Sequence, residues 1–187
     1  PVQQSPPMIR AWNSLSRRTE PAQARVLMVC LGNICRSPTA EAVLRARLHA
    51  AGWGARIAVD SAGTHADRGH PPDPRAQAAA ARRGYDLSAL RSRPMARDDF
   101  ERFELVLAMD QDNLEWLQRR CPPPLRHRLR LLLAVGLPGQ DMHEIPDPYY
   151  GGPDGFECTL DLIEQACRGL IVELDAGRLS IPCSEQG

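Results

Sequence analysis

Lysine is absent: all 23 basic residues of the 187-residue chain are arginine. With abundant alanine, proline and glycine, that usage points to a GC-rich coding genome and to nothing about chemistry. Net charge is absent too, 23 acidic residues balancing 23 basic ones, so no global field recruits nucleic acid or an anionic membrane. No apolar run approaches the roughly 20 residues that span a bilayer. Nor does the first segment, PVQQSPPMIRAWNSLSRRTEPAQAR, hold the hydrophobic region of a secretory signal. From Met8 it is rich in arginine and serine, has no acid before Glu20, and spaces Ile9, Trp12 and Leu15 like a helix. That gives it a faint likeness to an organelle transit peptide, but residues 1–24 are read here as a flexible leader outside the domain.

C-x-x-C pairs are also missing. Cys30, Cys35, Cys121, Cys158, Cys167 and Cys183 show no zinc-ligand spacing, and in a chain of this length they read as reduced thiols in a cytoplasmic protein. What is present is ordinary: 43% hydrophobic and 25% charged residues suit a soluble globular protein, with enough chain for one domain and a real core.

From residue 25 the hydrophobic period alternates between strand and helix, with no internal repeat. RVLMVC reads as a buried parallel strand. SPTAEAVLRARLHAAG follows as a helix, with Ser37 as N-cap, Pro38 in the first turn and Gly52 as the stop. RIAVDSAG is a second strand, RAQAAAARRG a helix ended by Gly84, FELVLAMD a third strand, QDNLEWLQRRC a helix and LRLLLAVG a fourth strand. LPGQDMHEIPDPYYGGPDG holds too much proline and glycine for either regular element, and a final helix begins near Phe156. The expectation is a single α/β domain over residues 25–178, with an open four-stranded parallel sheet, helices on both faces, and a tail over 179–187. In such sheets ligands sit beyond the carboxyl ends of the strands, where Cys30 falls.

Cys30-Leu31-Gly32-Asn33-Ile34-Cys35-Arg36-Ser37 therefore invites a chemical reading. A loop entering a helix N-terminus can turn successive N–H groups inward and, with the helix dipole, form an oxyanion socket. Cysteines so placed can have pKa values lowered by roughly 1 to 5 units. Arg36 adds a planar fork for two phosphate oxygens, Gly32 and Asn33 tolerate positive φ, and Ser37 can turn its hydroxyl towards the sulfur. The Cys-x5-Arg spacing is weak by itself because arginine is so frequent, and a plain strand-to-helix turn would use many of the same residues. The context favours catalysis: a strand before, Gly-Asn inside, a capped helix after.

VCLGNICRSPTAEAV resembles the active-site signature of the low-molecular-weight protein tyrosine phosphatases, bacterial-type members included. The likeness continues through VDSAGT, PPDPRA, DDFERFELVLAMDQDNL and DPYYGGPDGFE, over residues 25 to 175. It implies that Cys30 is the nucleophile, Arg36 the phosphate clamp and Asp147, in IPDPYYGG, the general acid that protonates the leaving phenolate. Local sequence alone would read Pro-Asp-Pro as a turn with a solvated carboxylate. The resemblance further implies that Asn33 and Ser61 hydrogen-bond around the loop. It places Tyr149 and Tyr150, with Leu31 and Ile34, around the phosphorylated ring. The resemblance also implies that Cys35, the second loop cysteine, traps oxidised Cys30 as a disulfide; the alternative is a small buried side chain with no role.

Two departures stand out. Many relatives carry an aromatic residue in the loop after the second strand; here THADRGHPPDP offers His65, Asp67, Arg68 and His70, a polar wall that puts substrate preference in question. Arg83 replaces a histidine seen before the glycine ending the second helix, which weakens the carry-over of the supporting hydrogen bonds. The rivals are an arsenate reductase of the same fold, a protein-arginine phosphatase and a silent phosphate-binding module. The first needs further cysteines, and residues 62–100 contain none. The second carries threonine where Ile34 stands. The run RRCPPPLRHRLR is read as a loop with solvated arginines rather than a partner surface. The expected partner is a phosphotyrosine-containing protein, a bacterial tyrosine autokinase being one candidate. The resemblance implies no metal or cofactor and no nucleic-acid or membrane partner, and it suggests a monomer.

Overall fold

Four short apolar segments set the architecture. In the computed structural model, which describes residues 23–179 and 181, they form parallel strands β1 (Ala24–Cys30), β2 (Ile57–Gly63), β3 (Leu105–Ala108) and β4 (Leu129–Leu131) in the order β2-β1-β3-β4. Because side chains alternate across a strand, β1 feeds two cores. Val26, Met28 and Cys30 face one, and Leu27 and Val29 the other. Each such fully buried side chain contributes about 1.5–3 kcal/mol, which explains why β1 reads as a continuous apolar run.

Helices cover both faces. On the larger core lie α1 (Arg36–Ala50), α2 (Pro74–Arg82), α5 (Leu132–Gly136) and α6 (Pro153–Asp175); on the smaller lie α3 (Asp99–Arg102) and α4 (Gln111–Arg120). After β2 forms on one side of β1, the chain crosses to place β3 on the other. The winding therefore reverses between β1 and β3, and a crevice opens beyond their carboxyl ends.

The open sheet with helices on both faces matches the expectation; several boundaries do not. LRLLLAVG is not one long strand: β4 ends at Leu131 and Leu132–Gly136 turns into α5. A short apolar run cannot by itself distinguish a buried strand from a buried helical turn, and here the contact with α6 decides. A Cβ on Gly136 would lie 2.1 Å from the Ala166 carbonyl oxygen, and one on Gly169 would lie 1.6 Å from the Gly136 oxygen, so only glycine allows the two backbones to cross. Ser37 is not the N-cap of α1; Cys35 occupies that position without a capping side chain, because the Ser37 hydroxyl is committed to the loop below. β3 is shorter than expected, α6 starts at Pro153, and α3 and a 3-10 turn over Pro123–Arg128 are additional. Within RRCPPPLRHRLR, Arg126 is exposed and donates to the Cys121 carbonyl, while half-buried Arg128 donates to those of Phe100, Glu101 and Phe103, so both tie the loop down at its solvent face.

The expected leader lies outside the described residues as far as 22, and Ala24 already pairs with Ile57 in the sheet. Of the expected tail, Leu179 and Ile181 pack partly buried on the larger core. Among the described residues no helix is long and apolar enough to cross a membrane.

Candidate functional site

Beyond Cys30 the chain leaves the sheet in a tight loop held from three sides. Cys30 and Leu31 carbonyls accept from the N–H groups of Thr64 and His65, both at 2.9 Å, and the Ile34 carbonyl accepts from Asp73 at 2.7 Å. Gly63 sits against the loop, where a Cβ would meet Leu31 O at 2.7 Å and Asn33 N at 3.0 Å, so VDSAGT needs its glycine for close approach. Asn33 takes the left-handed conformation, φ 53°, as its residue type allows. Its N–H points at Cys30 Sγ at 3.3 Å, and the Ser37 hydroxyl lies 3.0 Å from the same sulfur. Among the described residues, the N–H groups of Gly32, Ile34, Cys35 and Arg36 donate to no protein acceptor. Four free donors in one turn at a helix N-terminus are the makings of an anion cradle.

Arg36, 2% exposed, begins α1 beside this cradle. One terminal nitrogen donates to Asp110 Oδ2 at 2.5 Å and to the Ile145 carbonyl at 3.1 Å; the other donates to Asp147 Oδ2 at 2.7 Å. Burial works against its charge, but Cys30, Asp110 and Asp147 outweigh burial and raise its pKa above the ordinary arginine value. The Asp147 carboxylate is held in turn by the Tyr149 N–H, 3.1 Å from Oδ1. The proline-flanked turn thus holds the carboxylate across from the loop in two contacts, with its side chain still one-third exposed.

Beneath the loop runs a buried chain of polar groups. Asn33 Nδ2 donates to Ser37 Oγ and to Ser61 Oγ, each at 2.9 Å, while its Oδ1 accepts from the Arg93 N–H at 2.9 Å. The Ser61 hydroxyl donates to Glu41, whose other oxygen lies 2.6 Å from Arg45. Burial pushes the Glu41 carboxyl upward, and the Ser61 bond and Arg45 only partly offset it. Arg93 is pinned by Asp60 and Asp99, each at 2.8 Å. Arg83 is no part of this network; it clasps Glu157, Asp161 and Glu164 of α6. The supporting hydrogen bonds are complete without a histidine at that position.

These elements enclose a cavity of about 230 Å3, the size of one side chain rather than of a drug-sized ligand. Cys30, Gly32, Cys35 and Arg36 form its floor; Leu31, Ile34, Asp147, Tyr149 and Tyr150 rise around it. Asn33, Ser37 and Ser61 do not line it but lie buried behind the loop. Of the four polar residues after β2, only His65 reaches the wall. Its ring meets Trp116 edge-on, centroids 5.9 Å apart, so an aromatic wall exists after all, supplied by an imidazole backed by an indole. Tyr149 packs edge-on to Tyr150 at 5.0 Å, with Arg75 over its ring at 5.5 Å. Burial, then the charges of Asp73, Cys30 and Asp147, push the Cys35 thiol up to about 12, leaving it a poor nucleophile beside Cys30. Among the described residues no group of three or more His, Cys, Asp or Glu is arranged to hold a metal ion.

Sequence reasoning passed over Asp110, Glu41 and Arg93. Asp110 had a usable signal: it follows β3 at the switch point and caps α4, its Oδ1 accepting from the Asn113 N–H at 2.7 Å. Glu41 and Arg93 had none.

Known proteins place this geometry. A family profile described as low molecular weight phosphotyrosine protein phosphatase matches residues 25–179. A low molecular weight protein-tyrosine-phosphatase of Streptomyces coelicolor is 44% identical over 151 residues, 79% of this chain and 91% of that one. The crystal structure of a protein tyrosine phosphatase from Entamoeba histolytica superposes with a TM-score of 0.78 at 38% identity, over 83% of this chain and 99% of that one. A structure titled as the arginine phosphatase YwlE, a mutant with a phosphorylated active-site serine, matches at 27% identity and TM-score 0.75, over 82% of this chain and 97% of that one. The chain belongs to the low molecular weight phosphotyrosine protein phosphatase family.

Proposed function

We propose that the protein hydrolyses phosphotyrosine in proteins, and small aryl phosphates, through a phosphocysteine intermediate. The observation that carries this reading is convergence: Cys30 Sγ, the free loop N–H groups, Arg36 and Asp147 meet in one cavity wide enough for a single phosphorylated ring. The phosphoryl oxygens take the loop donors and the Arg36 fork, drawing the guanidinium from Asp147. Cys30 thiolate attacks phosphorus in line as the P–O bond to tyrosine breaks, and protonated Asp147 delivers its proton to the departing phenolate oxygen. Water then attacks the phosphocysteine, giving its proton to Asp147; the S–P bond breaks, releasing phosphate and the thiolate. Charge spread over the transferring group is stabilised by donors already in place, the main demand of phosphoryl transfer.

The substrate is a phosphoprotein, a bacterial tyrosine autokinase being one candidate, and the free thiols of Cys30, Cys35, Cys121, Cys158 and Cys167 suit a reducing, cytoplasmic setting. One solved relative is titled an arginine phosphatase. Here the apolar Ile34 and the Tyr149 ring favour an aryl phosphate, and phosphotyrosine and phosphoarginine peptides compared side by side decide between them. The first experiment is aryl phosphate hydrolysis from pH 4 to 8 without added metal. Cys30→Ser abolishes turnover, and Asp147→Ala lowers kcat about 100- to 10,000-fold. Turnover surviving Cys30→Ser refutes the nucleophile.

A further inference from the structure

A second groove lies on the far side of the His65–Trp116 ring pair. Met95, Phe100 and Trp116 form its floor and Arg97 and Arg120 its rim, enclosing about 460 Å3. Arg120 lies over the Trp116 ring at 3.9 Å, a stacked posture that leaves most of its edge donors exposed. Several neighbouring carboxylates pair with other arginines: Asp98 and Asp99 with Arg102, Asp99 also with Arg93, and Glu115 with Arg119. Neither Arg97 nor Arg120 has an ion-pair partner among the described residues. Two uncompensated guanidiniums above an apolar floor favour an anion carried on a side chain that also has apolar surface.

We propose that this groove is a specificity subsite that receives an anionic side chain of the phosphopeptide whose phosphotyrosine occupies the Cys30 cavity. The inference rests on the phosphotyrosine reading and extends it to the substrate's sequence. The link to the site is one wall of two rings: His65 lines the Cys30 cavity, Trp116 lines the groove, and their ring centres are 5.9 Å apart. An extended peptide advances about 3.3 Å per residue, so a residue two to four positions from the phosphotyrosine clears that wall. The anion is a carboxylate or a second phosphate; both present the oxygens that a guanidinium edge binds.

The experiment measures kcat/KM for phosphotyrosine peptides carrying alanine, glutamate or a second phosphotyrosine at those positions, with a small aryl phosphate as reference. Wild type prefers the anionic peptides by about 3- to 20-fold, the scale of two partly exposed ion pairs, and the preference collapses in high salt. Arg97→Ala/Arg120→Ala abolishes the preference, Arg97→Glu/Arg120→Glu reverses it, and both retain wild-type rates on the aryl phosphate, which also reports that they fold. Whichever anionic peptide is preferred identifies the source. Equal rates on all peptides, or a preference that survives both double variants, overturns the subsite. Loss of wild-type aryl phosphate hydrolysis would instead overturn the functional reading beneath it.

Discussion

Replacing Asn33 by glycine removes one side chain from the centre of the site while leaving the left-handed backbone freely accessible. Three hydrogen bonds go with it: to Ser37 Oγ, to Ser61 Oγ and from the Arg93 N–H, all at 2.9 Å. Asn33 is 2% exposed, so water does not readily replace them. Each is worth about 1 kcal/mol net, and the glycine adds about 0.5–1 kcal/mol of unfolded-state entropy. The expected loss is about 3–4 kcal/mol, against a total stability of about 5–15 kcal/mol for an ordinary domain. The variant therefore stays folded and can be assayed.

Activity falls as well. Ser37 loses the bond that fixes its hydroxyl 3.0 Å from Cys30 Sγ, and displacements of about 1 Å at a reacting centre can cost 100-fold in rate. Urea unfolding gives the first quantity and aryl phosphate turnover the second. Asn33→Asp serves as the comparison: it retains an acceptor for Arg93, but it replaces the two N–H donors by a carboxylate near the sulfur and lowers turnover further. A stability loss below about 1 kcal/mol for Asn33→Gly would refute the reasoning, because three buried bonds would then be contributing almost nothing.

Asp110→Asn separates that residue's two tasks, because asparagine caps helices as well as aspartate but no longer pairs as an anion with Arg36. The unfolding midpoint stays near wild type while kcat/KM falls about 10-fold or more; lost stability with intact turnover would assign Asp110 to α4 alone. Alkylation at pH 7 marks Cys30 and exposed Cys158 but leaves Cys35 unmodified, since a thiol pushed up to about 12 is ionised in only about one molecule in 100,000; fragment mass spectra that place the label on Cys35 would contradict this. Burial raises the Glu41 carboxyl in the fold, so its contribution to stability is full below the ordinary carboxylate pKa and is lost as pH rises through the folded value. Glu41→Gln, which keeps an acceptor for Ser61, gains on wild type in urea midpoint between pH 5 and 8, and a constant difference across that range would exclude the effect.

How much of this could be read beforehand depended on whether the signal was local. β1 and the first turn of α1 announce themselves because a doubly buried strand must be apolar throughout and because Gly-Asn tolerates the loop's backbone. LRLLLAVG misled because its five leucines and valines satisfy a strand pattern equally well; what breaks the strand is Gly136 meeting Gly169, 33 positions away. Ser37 misled differently. It has the composition of a cap, but its hydroxyl is more strongly claimed by Cys30, Asn33 and Ala62 than by a free N–H group of its own helix.

Asp110 shows where local signal ends. By sequence it is an ordinary N-cap, 74 positions from the arginine it holds, and capping alone accounts for its presence in MDQDNL. Its second role exists only because the sheet order sets β3 beside β1, bringing a residue just beyond one carboxyl end against a helix that starts beyond the other. Once that order is known, the first polar residue after β3 is bound to face the loop after β1. The same argument orders the whole site: Cys30 and Arg36 come from the β1 side of the crevice, Asp110 from the β3 side, and Asp147 from a loop tethered to β3 through the Ile145 N–H and the Met109 carbonyl at 2.8 Å. Topology, rather than any further motif, makes one cavity of residues spread over more than a hundred positions.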